Sequence, residues 1–126
     1  QTFMNMSGLS AKSLVSYYKI SAENDFFVIH DDIDIKIGKS KISKESGSGG
    51  HKGVISIMNN LSSQDFTRFR IGIQPKRGKP RFVENFVLQR FKEEDKAQEA
   101  VKRTVEALET TIKDVLERAM NKFNEN

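Results

Sequence analysis

The sequence predicts an α/β layer fold. A short apolar run rich in β-formers occupies residues 26–30, a second β-type run ends in Phe69, Arg70, Ile71, Gly72 and Ile73, and helical periods lie before, between and after them. Strands that alternate with helices bury their apolar faces by stacking in layers. At 126 residues and 14.4 kDa the chain is long enough for one domain with a single core.

Taken in order, residues 8–19 carry Ala11, Leu14, Val15 and Tyr18 at i, i+3, i+4 and i+7, one face of a helix, with Ser7 and Gly8 as its N-terminal cap. Residues 26–30 (Phe26, Phe27, Val28, Ile29, His30) read as a strand buried on both faces. In residues 33–37, Ile33, Ile35 and Ile37 alternate with Asp34 and Lys36, the period of a strand with one wet face. Gly38 punctuates that run, and residues 39–44 continue as a polar, basic stretch. Residues 46–53 hold four glycines, which marks a tight turn or a close approach of backbone to a ligand. A helix follows, with Val54, Ile57, Met58 and Leu61 on one face. Residues 66–73 return to strand, residues 75–81 form a basic loop holding both prolines, and residues 85–91 read as a short helix. The last third is an amphipathic helix, broken once, with Ala97, Val101, Val105, Leu108, Ile112, Val115, Ala119 and Phe123 on one face and Glu93, Glu94 and Asp95 at its positive end.

Composition excludes several chemistries. There is no cysteine, so disulfide scaffolds, thiol catalysis and cysteine-ligated zinc are ruled out. Two histidines, His30 and His51, are available for acid–base or metal work. No apolar run approaches the ~20 residues that cross a bilayer, and no membrane partner is expected. The net charge of +4 permits a nucleic-acid or phosphate partner without demanding one.

Three segments hold polar residues that local structure does not need. Thr2-Phe3-Met4-Asn5-Met6-Ser7-Gly8 places Asn5 just before a helix, where a turn or cap role also accounts for it. His30-Asp31-Asp32-Ile33-Asp34 falls at the C-terminal end of a strand, where open α/β sheets place their sites. A metal would need more convergent oxygen ligands, and Asp32 and Asp34 are expected to face solvent in a turn. Asp31 is the carboxylate suited to orient a histidine general base held elsewhere, although a structural role accounts for the segment equally well. The glycine-rich loop ending in His51 and Lys52 suits an anion, because N–H groups and the helix dipole face the charge. It lacks the ending of a Walker A loop and the strand context of a dinucleotide fingerprint. By themselves, His51 also reads as a turn residue and Lys52 as a solvated charge. Lys39, Lys41, Lys44, Arg68, Arg70, Lys76, Arg77, Lys79 and Arg81 concentrate positive charge mid-chain, either as a nucleic-acid face or as scattered solubility charges.

Together the segments are more specific. The first motif, then Val28-Ile29-His30-Asp31-Asp32-Ile33-Asp34, then Gly49-Gly50-His51-Lys52-Gly53-Val54-Ile55-Ser56-Ile57, then Phe69-Arg70-Ile71-Gly72-Ile73 follow in an order and spacing that resembles the bacterial-type peptidyl-tRNA hydrolase family. The match runs from the first residue to at least Phe91, and the C-terminal helices also fit. The resemblance implies a three-layer α/β/α monomer with a mixed, twisted sheet, working in the cytoplasm. It implies hydrolysis of the ester joining peptide to tRNA, with peptidyl-tRNA as partner and neither metal nor cofactor. By the same resemblance, Asn5 would hold the substrate main chain or the attacking water. Asp31 would accept a hydrogen bond from the catalytic histidine. Phe3 and Met4 would line the peptide channel, with His51 and Lys52 as further substrate contacts. Lys41, Lys44 and Arg70 would meet tRNA phosphates, where sequence-independent charge suffices.

Two departures from the family pattern stand out. The family's catalytic histidine lies in an N-terminal segment, after a first strand and a glycine turn, and both His30 and His51 match other family positions. The chain therefore reads as an N-terminally incomplete single domain, inactive alone, since loss of the base costs roughly 10²–10⁴-fold. The absent strand would leave a sheet edge unpaired. The family's Asn after His51 is Lys52 here, a donor-only cation in place of an amide that also accepts. These departures motivate an alternative, a non-catalytic relative that binds tRNA or other RNA in a ribonucleoprotein or splicing complex. A weaker alternative is an unrelated α/β phosphate-binding module.

Overall fold

The computed structural model describes residues 3–87, 94–114 and 116–124. A 3₁₀ turn at Met4–Met6 leads into α1 (Ser7–Tyr18) and the short α2 (Ala22–Asp25). Then come β1 (Phe27–Lys36), β2 (Ser40–Ser43), α3 (Lys52–Leu61), β3 (Thr67–Gln74), α4 (Val83–Val87), α5 (Glu94–Lys113) and α6 (Leu116–Phe123). The described strands form one mixed sheet in the order β1-β3-β2, so the fold is α/β. β1 and β3 run in the same direction, since Arg70 lies beside Asp32 and Ile37 N donates to Gln74 O at 2.9 Å.

The chain divides into two compact units, Gln1–Val28 with Ser43–Arg68, and Ile29–Ile42 with Phe69–Asn126. In the first unit α1 packs on α3. The contact is made by Gly8, where an added Cβ would sit inside the carbonyl of Ser56, and Gly8 N donates to Ser56 Oγ at 3.0 Å. Close approach selects the small-residue side of α1, so Gly8 and Ala11 are buried; of the face that the spacing predicts, Ala11 is buried and Val15 half-buried, whereas Leu14 and Tyr18 are exposed. The expected cap also differs. Ser7 is the first helical residue, and its hydroxyl donates backward to Met4 O at 2.9 Å. Beneath the helices, Ala11, Val28, Ile57 and Phe66 form a core flanked by Phe26, Met58 and Leu61. Phe26 and Phe66 meet edge to face at 5.9 Å, a favoured aromatic geometry.

In place of two short strands and a turn there is one ten-residue strand, β1. It is not buried on both faces at its start, because Ile29 is exposed between buried Val28 and His30. His30 and Asp31 consequently lie mid-strand. Asp32 is inside β1 and only 7% exposed, not in a solvated turn, while Asp34 is exposed but also in the strand. Both Asp32 and Ile33 are buried, so the covered face changes between them, which no period of two anticipates.

The polar stretch 39–44 contains a strand that sequence reading missed. In β2, Ser40 and Ile42 are buried and alternate with half-buried Lys41 and Ser43. The outer side of Ile42 is closed by Asn124, which donates Nδ2 to Ile42 O at 2.9 Å and accepts from Ile42 N at 2.6 Å. A side-chain amide thus stands in for a further strand at this edge.

The short helix after the basic loop begins earlier than expected, at Val83, and the expected residues 88–91 lie outside the described residues. The C-terminal helix is broken once, as expected, and the structure places the break between α5 and α6. Its buried face does not. Ala97, Ala100, Thr104, Ala107 and Thr111 are buried, whereas Val101, Val105 and Ile112 are exposed, Ile112 by 70%. Thr104 and Thr111 tolerate burial because their hydroxyls donate to Ala100 O and Ala107 O at 2.8 Å. Phe123 is buried as expected. Val115, the Ala119 side chain and Glu93 lie outside the described residues.

Replacing Gly8 by Ala forces the α1–α3 contact apart. We expect a loss of about 1–3 kcal/mol, read as a lower midpoint in thermal or urea unfolding.

Candidate active site

The first unit holds the segments before α1 and before α3. Met6 N donates to Phe3 O at 2.8 Å, closing the turn that carries Asn5. Phe3, Met4 and Asn5 are all exposed, Phe3 by 82%. A Cβ added at Gly53 would meet Met4 Cγ at 3.0 Å and the His51 ring at 3.1 Å. Met4, His51 and Gly53 therefore converge, and the first and third sequence motifs meet in space. A side chain at that point would press on both by a few tenths of an ångström.

The loop 46–51 folds on itself. Gly49 and Gly50 have φ of 60° and 81°, the left-handed region that glycine enters without strain. Gly50 N donates to Ser48 Oγ at 3.2 Å, and His51 N to Ser48 O at 3.1 Å. His51 caps α3, with Nδ1 accepting from Val54 N at 3.3 Å. A neutral ring in that role carries its proton on Nε2. Lys52 opens the helix and is exposed. A cation there is opposed by the helix dipole, so helix stability does not account for it. Lys44 lies 3.7 Å from Glu23 and 3.8 Å from Asp65, a loose acidic surround.

The loop also has an anchor that sequence reading took only for one basic residue among nine. Arg68 is 1% exposed and is among the largest fully buried side chains. Its Nη2 donates to Ser46 O at 2.9 Å, to Gly47 O at 2.7 Å and to Ser46 Oγ.

The second unit holds the acidic segment. Asp31 is half-buried on β1. Its neighbour His30 is buried, with Nδ1 2.7 Å from Asp31 O. A carbonyl only accepts, so Nδ1 carries a proton and donates. Asp32 takes Arg70 Nε on Oδ2 at 2.7 Å and Asp34 N on Oδ1 at 2.8 Å. Arg70 is thus engaged with a buried carboxylate, a partner that sequence reading missed. Lys41 is half-buried on β2. The basic loop is tied back by Lys79 Nζ to Asp34 Oδ1 at 2.8 Å. An open concavity of about 410 Å³ lies between that loop and α4, lined by Arg77, Lys79, Arg81, Phe82 and Phe86 among others.

Among the described residues no three His, Asp or Glu side chains are grouped to hold a metal ion. No described helix is long and apolar enough to cross a membrane.

An α/β protein with a glycine loop before a helix, an asparagine turn packed beside it and a carboxylate strand is the class that these features define. The family model for peptidyl-tRNA hydrolase matches residues 1–126, and the chain belongs to that family. It is 44% identical over 128 residues to the peptidyl-tRNA hydrolase of Caldanaerobacter subterraneus subsp. tengcongensis, covering 98% of this chain and 66% of that protein. It is 42% identical over 127 residues to that of Geobacillus thermodenitrificans, covering 98% and 67%. The crystal structure of peptidyl-tRNA hydrolase from Acinetobacter baumannii is similar with a TM-score of 0.82 at 27% identity, over 98% of this chain and 63% of that one. The chain thus spans about two thirds of the length of these relatives.

Asp32 is buried and its Oδ2 accepts from Arg70 Nε at 2.7 Å, so removing either partner leaves a buried polar group without that bond. In a double-mutant cycle of Asp32→Ala and Arg70→Ala we expect a coupling of about 1–3 kcal/mol in urea unfolding. Additive effects would show that the pair is not coupled.

Proposed function

We propose that the whole protein hydrolyses the ester between a peptide and the 3′ end of tRNA, releasing peptide and reusable tRNA. Membership of the peptidyl-tRNA hydrolase family across residues 1–126 is the observation that carries this reading. The convergence of Met4, His51 and Gly53 supports it locally. Residues 1–126 belong on this reading to one hydrolase domain, acting as a cytoplasmic monomer without metal or cofactor.

In the proposed reaction a water molecule attacks the ester carbonyl. The acyl C–O bond breaks, the peptide leaves as a carboxylic acid and the tRNA 3′-oxygen takes a proton. Asn5, on the turn before α1, suits the main chain of the peptide or the attacking water, since an amide both donates and accepts. Phe3 and Met4 offer the exposed apolar surface that a peptide side chain needs. Asp31 accepts a hydrogen bond from a general-base imidazole and holds its orientation. Neither histidine of this sequence fits that base. His30 is buried with Nδ1 donating to Asp31 O, and His51 uses Nδ1 as a helix cap. His51 and Lys52 serve as donors to substrate oxygens. Lys41, Lys44 and Arg70 supply positive charge for tRNA phosphates, with Arg70 oriented by Asp32.

Peptide release from a short peptidyl-tRNA tests the reading. Asp31→Ala in the whole protein is expected to lower kcat by about 10²-fold or more while tRNA still binds. Wild-type protein that binds tRNA but releases no peptide would mark a non-catalytic RNA-binding relative. Lys41→Ala is expected to reduce the slope of log K against log salt by about 1 for tRNA binding. An unchanged slope would remove Lys41 from the phosphate face.

A further inference from the structure

We propose that Arg68 is a positioning residue, which sets the loop that delivers His51 and Lys52 to the acylated end of the substrate. The inference rests on the reading of that loop as part of a peptidyl-tRNA site.

Besides Arg68, the start of the loop is held by Ser46 Oγ, which donates to Ser43 Oγ at 3.2 Å. A Cβ added at Gly47 or Gly50 would meet nothing within 4 Å, so packing does not fix the backbone there. Glycine in an unpacked loop has wide conformational freedom, and ordering it costs entropy. Against this, one buried side chain takes three oxygens of Ser46 and Gly47. Nη2 has two hydrogens for those three oxygens, so at least one bond is shared. Both carbonyls are thereby turned toward Arg68 on β3. Four residues beyond Gly47 the chain reaches His51, whose Nδ1 caps α3 and whose ring closes over Gly53 beside Met4. The bonds from Gly50 N to Ser48 Oγ and from His51 N to Ser48 O tie residue 48 to His51, so the placement of residues 46 and 47 is passed to the residues that would meet substrate. A planar guanidinium is suited to this task, because its N–H groups hold fixed directions whereas an ammonium is a mobile point charge.

The role differs from that of a charge for tRNA phosphates. Arg68 is 1% exposed, so its guanidinium is not presented at the surface where phosphates bind. Its loss should spare binding of the nucleic acid and weaken recognition of the acylated end.

The experiment measures affinity for a tRNA carrying an N-acetyl-aminoacyl group through a non-hydrolysable amide, and for the same tRNA deacylated. Wild-type protein should prefer the acylated form. Arg68→Lys should lower that preference about tenfold, the scale of a hydrogen bond to a charged donor, with deacylated tRNA bound as before. Ser46→Ala, which removes one acceptor of Arg68 together with the bond to Ser43 Oγ and leaves both carbonyls, should lower it about two- to threefold, and Ser43→Ala, which removes only the latter bond, should leave it unchanged. The ¹⁵N shift of His51 Nδ1 should move in both variants, because the cap bond to Val54 reports the position of the loop. If Arg68→Lys does not fold, Ser46→Ala alone decides. A wild-type preference that survives in the folded variants overturns the role of Arg68 and leaves the proposed function standing. Absence of any preference in wild type overturns the proposed function, and the role of Arg68 with it.

Discussion

A polar group taken out of water must find a partner inside the protein, and much of this structure follows from that constraint. An unpartnered guanidinium or carboxylate in the interior costs several kcal/mol, on the order of a protein's whole margin of stability. Arg68 meets the constraint with the oxygens of Ser46 and Gly47, Asp32 with Arg70 and the N–H of Asp34, and Thr104 and Thr111 with carbonyls one turn back. Asn124 answers both backbone groups of Ile42. Thr67 Oγ1 and Asp65 Oδ1 depart from this rule, each buried without a hydrogen-bond partner, although Lys44 Nζ lies 3.8 Å from the carboxylate.

These pairings also shape the candidate site. The loop before α3 combines glycines at φ of 60° and 81°, free to turn, with a buried guanidinium that restricts where they lead. The outcome is a histidine used as a helix cap and a lysine held at a helix start against its dipole. In the other unit, Asp31 stands on a strand between a buried histidine and a buried aspartate, each already committed to a partner. Its own place in the middle of a long strand gives it a rigid support, which suits an orienting carboxylate better than a loop would.

Helices α1 and α5 show how burial was decided. In each, the stripe of larger apolar residues stays exposed and the neighbouring stripe of small residues is covered. Gly8 and Ala11 allow α1 to reach α3, and Ala97, Ala100 and Ala107 occupy the covered side of α5. Apolar spacing names the sides that are able to be buried. The distance of approach then selects among them, and that distance depends on the facing element.

By itself the sequence determined the alternation of strands and helices, a single break in the C-terminal helix, the glycine loop and the motif order that placed the chain in its family. Those features are local or ordered along the chain, so spacing alone displays them. The joining of residues 27–36 into one strand, the polar strand β2, the covered faces of α1 and α5, and the partners of Asp32 and Arg68 were decided only in the folded state. Arg70 lies 38 residues from Asp32, and Arg68 lies 22 from Ser46. A side-chain period shows that a position is apolar or charged. Which distant group answers it is settled only when the chain closes and water is excluded from between them.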